Sequence, residues 1–159
     1  MLTLKNDTLD RLCAHAQAEY PRECCGILLG RHTDGQRIVF RIVQTENTAG
    51  EKQRATYFQI DPLALAKAEL AAEQEHLEIV GFYHSHPDHD AVPSNEDTRH
   101  MIVGYSYPIV AVQHGKCVKV CSFEKTRQTD ADAQEEILIK EKRHADFRIC
   151  IGNIASLCK

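Results

Sequence analysis

The stretch HSHPDHDAVPSNED, residues 84–97, carries the strongest signal in this sequence. It places His84 and His86 two residues apart and, after a spacer of seven residues, ends with Ser94 and Asp97. Two imidazoles and a carboxylate are ligands that zinc accepts, and three protein ligands leave a fourth position open for water. A closed site with four ligands is typical of a structural role, whereas an open site with three ligands is typical of hydrolysis. The stretch therefore predicts an open metal site of the hydrolytic kind.

The elements predicted around this stretch would allow the three side chains to meet. A run of β-forming residues leads into His84, and the two-residue period of a strand puts His84 and His86 on one face. Asp97 would come from the first turn of a short helix that begins near Ser94. Each half also has a plainer explanation, because a strand-end histidine is usually an ordinary residue and Ser-x-x-Asp is a common helix cap. Both halves together, with Pro87 between them, favour zinc, although the ligands would also accept another divalent ion.

Hydrophobic periodicity predicts an α/β domain. Apolar residues at helical spacing follow the capping candidates Asn6 and Asp7 and predict a helix that ends before Pro21. A second helix is expected to begin with Asp61 as N-cap and Pro62 as its first residue. Strands are predicted in pairs around hairpin turns at 34–35 and 114–115 and singly elsewhere, over residues 23–30, 37–43, 56–60, 77–83, 107–113 and 117–123. This order indicates a mixed, mostly antiparallel sheet.

The length of 159 residues suits one domain with a core of normal size. We expect residues 1–124 to form the main body of the domain and residues 125–159 to form a C-terminal extension packed on that same domain. Within the extension, residues 136–140 fit either a strand or part of a charged helix that runs through Arg148.

Composition narrows the classes of partner and compartment. The net charge of −4 argues against nucleic acid, because phosphate binding favours a basic patch. No apolar run approaches the roughly 18 residues of a membrane span, and no signal peptide is evident, so a cytoplasmic location is expected. Seven cysteines cannot all pair within one chain, and reduced thiols are expected in that compartment. Cys24 and Cys25 would be small buried residues on opposite faces of a strand.

The chain resembles a known family over about residues 4–124. Its central stretch resembles the JAMM signature of the MPN+ metallopeptidases, in which an upstream Glu precedes His-Ser-His-Pro and Ser-x-x-Asp. Residues 21–30, 57–62 and 79–83 resemble the family's first strand, the lead into its second helix and the strand before the metal. The resemblance implies the MPN (JAMM, cytidine-deaminase-like) fold, with a mixed sheet flanked by helices.

The resemblance also implies a role for five residues. One zinc ion per chain would be held by His84, His86 and Asp97, and it would lower the pKa of its bound water from about 15.7 toward about 7. Glu23 would take the proton as general base and pass it to the leaving amine. Ser94 would hydrogen-bond the oxyanion that develops on the carbonyl. Only the resemblance gives Glu23 this role, since the sequence fits a solvated loop residue equally well.

The sequences of residues 84–90, 92–94 and 104–107 look closest to those of bacterial members that act on small ubiquitin-like sulfur-carrier proteins. This implies a metallopeptidase that hydrolyses the amide after the carrier's C-terminal Gly-Gly and releases cysteine or a short peptide. The alternatives are a non-catalytic MPN-type module that binds a ubiquitin-like partner, and a deubiquitinase-like isopeptidase. The sequence indicates neither the particular carrier nor the oligomeric state.

Overall fold

The computed structural model describes residues 1–125, 133–135, 137–140 and 148–149. The helices are α1 (Asn6–Glu19), α2 (Pro62–Gln74) and α3 (Asn95–His100). The strands are β1 (Leu2–Lys5), β2 (Cys25–Thr33), β3 (Gln36–Thr45), β4 (Glu78–Pro87), β5 (Ser106–Gln113), β6 (Lys116–Glu124), β7 (Ala133–Glu135), β8 (Ile137–Lys140) and β9 (Arg148–Ile149). Within these ranges, no helix has the length and apolar character that crossing a membrane requires.

The described strands form one mixed sheet in the order β7-β6-β5-β4-β2-β3-β1-β8, and β9 pairs with β6. The hairpins β2–β3 and β5–β6, the β2–β4 pair and the β6–β7 pair are antiparallel, and the first three are the longest pairings. The β1–β3, β1–β8, β4–β5 and β6–β9 pairs are parallel. The predicted α/β class with a mixed sheet is confirmed.

The two faces of the sheet are covered by different helices. Leu28 of β2 packs in a buried cluster with Leu12 of α1. Its neighbours Ile27 and Leu29 belong to a second cluster with Ala68 of α2. Because successive strand residues point to opposite faces, α1 and α2 lie on opposite sides of the sheet. A third cluster lies beside α3 and consists of Ala91, Met101, Tyr107, Ile109, Ala111, Cys121 and Phe123.

Both long helices occupy the predicted segments. Asp61 caps α2 as predicted, because its Oδ1 accepts a hydrogen bond of 2.9 Å from the Leu63 N–H. The start of α1 differs from the prediction. Its N-cap is Lys5, and no side chain caps the helix there.

Residues 56–60 do not form the predicted strand. They lie next to residues 47–49, where one backbone hydrogen bond of 2.9 Å joins Thr48 N–H to the Gln59 carbonyl. The Tyr57 carbonyl and the Gln59 N–H bond to the side chain of Asn47 instead of a neighbouring strand. The segment therefore forms no β-ladder, although its composition favours a strand.

The described parts of the C-terminal segment pair with the same sheet. Residues 137–140 are a strand, one of the two predicted alternatives, and the side chain of Ile137 is buried against the α1 face. Glu135 of β7 accepts a hydrogen bond of 3.1 Å from Arg37 Nη1 of β3. The division of the chain at residue 124 stays a prediction.

Candidate metal centre and active site

His84 and His86 lie within β4, which extends through Pro87 instead of ending before the histidines. This strand is central, because it pairs with β2 on one side and with β5 on the other. At Gly81 the backbones of β4 and β5 approach so closely that a Cβ atom would lie 2.1 Å from the Ser106 carbonyl oxygen. Alternation places Tyr83 on the α1 face, so both histidines point to the opposite face.

The short helix α3 brings Asp97 to the two histidines. Ser94 is its N-cap, and its Oγ accepts a hydrogen bond of 3.1 Å from Asp97 N–H, while Ser94 N–H donates to Asp97 Oδ2 at 2.7 Å. Asp97 Oδ1 lies 3.3 Å from His84 Nε2, and Asp97 Oδ2 lies 3.5 Å from His86 Nε2. Ser-x-x-Asp is therefore both a helix cap and part of the candidate metal cluster, because the Asp97 carboxylate completes the cap and also faces both imidazoles.

These three side chains fit the requirements of a metal ion. The Nε2 atoms of His84 and His86 are 3.0 Å apart, and the ligand atoms of the three residues all lie within 4.8 Å of one another. Tetrahedral zinc with ligand distances of about 2.0–2.2 Å would separate its ligand atoms by about 3.3–3.6 Å. The observed separations are close to this value, so the cluster can bind a metal with little rearrangement.

The surroundings of the imidazoles favour the same arrangement. His86 Nδ1 lies 2.8 Å from the Asp90 carbonyl oxygen. Because a carbonyl only accepts, Nδ1 carries a proton, and in the neutral imidazole Nε2 has its lone pair toward the cluster. Burial lowers the pKa of His84 and favours its neutral form. Burial also opposes protonation of His86, but hydrogen bonds to Asp97 and to the Asp90 carbonyl outweigh it and raise the pKa of His86, so a bound cation would take the place of a proton on its Nε2.

The surroundings of Asp97 stabilise the charged form of its carboxylate. Burial tends to raise the pKa of Asp97, yet hydrogen bonds with His84, His86 and Ser94 outweigh burial and hold this pKa well below its usual range. Asp97 is therefore ionised at neutral pH. An ionised carboxylate beside a neutral imidazole is a donor set that suits a divalent cation.

Glu23 lies beside this cluster, immediately before β2. It is 5% exposed, so the plainer expectation of a solvated loop residue is wrong. Burial raises the pKa of Glu23 to about 8; the charge of His86 lowers this pKa and the charge of Asp97 raises it. These interactions place the carboxyl of Glu23 near His86 and Asp97. It also lines a cavity of about 390 Å³ together with Arg22 and Arg54.

Phe58 is a site residue that the sequence did not reveal. Its ring stacks on the imidazole of His84, with centroids 4.6 Å apart and an angle of 24° between the planes. Both side chains line a second cavity of about 380 Å³ that also contains Asp97, Met101 and Tyr107. The available signal is an aromatic residue shortly before Asp61-Pro62, but the β-forming composition around it predicts only a strand.

Residues 5–124 match the family described as prokaryotic homologs of the JAB domain. The chain belongs to this family. The match contains all five predicted site residues and confirms the resemblance to JAMM/MPN proteins. A solution structure of a protein from Desulfitobacterium hafniense is similar to this JAB domain, with a TM-score of 0.77, 32% sequence identity, and coverage of 89% of this chain and 94% of that one.

Three relatives of this JAB domain are named as a protease, a desampylase and a peptidase. A probable TtuB-protein conjugate cleaving protease of Thermus thermophilus is 35% identical over 62% of this chain and 62% of its own length. A desampylase of Haloferax volcanii is 35% identical over 68% of this chain and 78% of its own length. A CysO-cysteine peptidase of Mycobacterium tuberculosis is 28% identical over 62% of this chain and 64% of its own length.

The described cysteines of this JAB domain lie outside the ligand cluster. Cys24 and Cys25 are buried as predicted, and burial raises the pKa of their thiols to about 12 and about 11, respectively. The expectation of reduced thiols is wrong for Cys13 and Cys117, which form a disulfide between α1 and β6. Since 104 residues separate this pair, their spacing gave no signal of it.

Proposed function

We propose that this protein is a zinc metallopeptidase that hydrolyses the amide after the C-terminal Gly-Gly of a small ubiquitin-like sulfur-carrier protein. The observation that carries this proposal is the set of two buried histidines, His84 and His86, with the half-buried Asp97 and with Glu23 beside them, within a JAB domain. The relatives' names support the substrate class, because they refer to a TtuB-protein conjugate and to CysO-cysteine.

The roles of the chain's own residues follow from their surroundings. When bound by the three ligands, zinc would act as a Lewis acid and lower the pKa of a bound water toward about 7. Glu23 would accept the proton of the attacking water, and its pKa of about 8 suits a base that works near neutral pH. The protonated Glu23 would then donate to the departing amine. The Ser94 hydroxyl would donate a hydrogen bond to the oxyanion on the scissile carbonyl.

The segment at residues 57–60 suits an extended substrate tail. The carbonyl of Tyr57 and both backbone groups of Gln59 bond toward Asn47 and Thr48. In an extended chain the backbone groups of Phe58 point the other way and can pair with an added strand. Phe58 also stacks on His84, so a tail bound here would pass directly beside the metal ligands.

The decisive experiment uses a sulfur carrier that ends in Gly-Gly followed by cysteine or a short peptide. We expect cleavage directly after the second glycine, seen as one mass change of the carrier, and inhibition by a zinc chelator. A matched carrier with leucine in place of that glycine should resist, because a bulky side chain would crowd the metal ligands. Cleavage at another bond, or equal rates for both carriers, would reject this substrate model.

A carrier joined through its Gly-Gly to a protein lysine tests a second candidate, isopeptide hydrolysis. The name of the Thermus relative, which refers to a protein conjugate, favours including it. Preference for this substrate over the cysteine adduct would assign the protein to conjugate removal. A carrier that binds but is never cleaved would instead support the non-catalytic module.

Ser94→Ala is expected to lower turnover about 10²-fold with little change in substrate binding, because it removes an oxyanion donor. It also removes the cap of α3, which costs about 1 kcal/mol of stability. Ser94→Gly separates the two effects, since glycine at an N-cap costs only a few tenths of a kcal/mol and offers no side-chain donor to the oxyanion. Steady-state kinetics and thermal unfolding should show Ser94→Gly nearly as stable as the wild type but slow. Normal turnover in this variant would remove Ser94 from the reaction.

A further inference from the structure

The carboxamide of Asn47 uses its full hydrogen-bonding capacity inside the protein. Its Nδ2 donates to the carbonyl oxygens of Glu23 and Tyr57, both at 3.0 Å. Its Oδ1 accepts from Ala49 N–H at 3.0 Å and from Gln59 N–H at 3.1 Å. An amide has two donor hydrogens and two acceptor lone pairs, so each has a partner here. Asn47 is only 8% exposed, so water cannot easily replace these bonds.

These four bonds join two parts of the site that are distant in sequence. One part is the end of the segment that carries Glu23, whose own N–H donates to the Arg54 carbonyl at 2.6 Å. The other part is the segment on either side of Phe58, whose ring stacks on His84. Asn47 thus connects the backbone of the proposed base to the segment that packs on a metal ligand.

We infer that Asn47 is a positioning residue that holds Glu23 and the Phe58 segment in register for the reaction. Its side chain acts through the backbone of other residues, so it is not itself catalytic. Only a side-chain amide supplies both donors and acceptors in this geometry; a carboxylate offers acceptors alone, and alanine offers neither. The kinetic part of this inference rests on the proposed function, whereas the structural part does not.

Asn47→Asp tests the inference most sharply, because it keeps both accepting bonds and loses both donated ones. We expect kcat on the Gly-Gly carrier to fall about 10- to 100-fold, since small misplacements of a reacting group have effects of that size. KM should stay within about twofold and zinc content should not change, because substrate contacts and ligands are intact. The matched control is Thr48→Val, which removes an exposed hydroxyl bond to the Gln59 carbonyl in the same loop.

Hydrogen exchange measured by mass spectrometry gives a second readout that needs no substrate. In Asn47→Asp, amides of residues 20–25 and 47–60 should exchange about fivefold faster or more, while β4, β5 and β6 stay protected. Thr48→Val should resemble the wild type in both measurements. Asn47→Ala should show a larger effect than Asn47→Asp. If it unfolds, Asn47→Asp decides the matter because half of its bonds remain.

The outcomes separate this inference from the proposed function. If the wild type cleaves no carrier, the proposed function fails, and the exchange data alone decide whether Asn47 joins the two segments. Unchanged exchange in Asn47→Asp overturns the structural tie. Faster exchange with normal kcat overturns the positioning role. A rise in KM with constant kcat would assign Asn47 to substrate binding, which also contradicts the inference.

Discussion

Glu23→Gln is expected to keep its zinc and its affinity for the carrier but to lose about 10²–10⁴-fold in turnover, the usual effect of removing a general base. Glutamine has the shape of a protonated glutamate but cannot accept the proton of an attacking water. Without a bound cation, burial raises the pKa of Glu23 to about 8, so the zinc-free folded chain favours the neutral form near pH 7. A neutral amide at this position should therefore leave the melting temperature of the zinc-free protein unchanged or slightly higher.

Glu19→Gln is the matched control for this variant. Glu19 lines the same cavity, but its side chain is exposed and forms an ion pair with Arg22 at 3.1 Å. Exposed pairs contribute about 0–1 kcal/mol, so this control should keep normal turnover and stability. Zinc analysis, carrier binding and single-turnover rates of both variants complete the comparison. If Glu23→Gln turned over at a near-normal rate, another group would have to take the proton.

The cluster of His84, His86 and Asp97 could be predicted from the sequence because it depends on short-range geometry. His84 and His86 are two residues apart, and a strand of any twist puts such a pair on one face. Asp97 follows a serine at the spacing of a capping box, and that cap fixes which way its carboxylate points. Local rules of strand and helix thus determine most of the cluster. The two hairpins could also be predicted locally, because the turns Asp34-Gly35 and His114-Gly115 directly connect the strands that pair.

Other parts of the site depend on contacts between distant segments. Glu23 lies 61 residues before His84 in the sequence. Its burial arises only because β2 pairs with β4, which brings Cys25 opposite His84. No local pattern distinguishes such a residue from a solvated glutamate, and only the family resemblance singled it out.

The segment at residues 56–60 shows how a side chain can override local propensity. Thr56, Tyr57, Phe58 and Ile60 favour a strand, which is why one was predicted. A ladder needs a partner strand that offers backbone groups in register, and here Asn47 fills those positions with one carboxamide. A buried asparagine side chain that takes the hydrogen bonds of a partner strand cannot be recognised from the spacing of residues in the sequence. The segment keeps one backbone hydrogen bond, from Thr48 N–H to the Gln59 carbonyl, and forms no regular ladder.

His84→Ala and Asp97→Ala are each expected to reduce zinc from one ion per chain to a trace and to abolish turnover, while the fold survives. Two remaining ligands are too few for an open zinc site, which ordinarily has three protein ligands. The fold should persist because β4 is held by β2 and β5, and α3 packs beside a separate apolar cluster. Elemental analysis of purified protein measures the metal, and circular dichroism measures the fold.

His89→Ala is the control, because His89 is an exposed histidine only three residues beyond His86. The His89→Ala variant should keep its zinc, which would show that removing a nearby imidazole is not by itself enough to release the metal. Asp97→Asn adds a sharper comparison, since its amide oxygen can still accept the Ser94 N–H bond and preserve the helix cap. Loss of zinc from Asp97→Asn with α3 intact would assign the loss to the missing carboxylate charge. Full zinc occupancy in His84→Ala would mean that the metal binds elsewhere, and the roles given to Glu23 and Ser94 would fall with it.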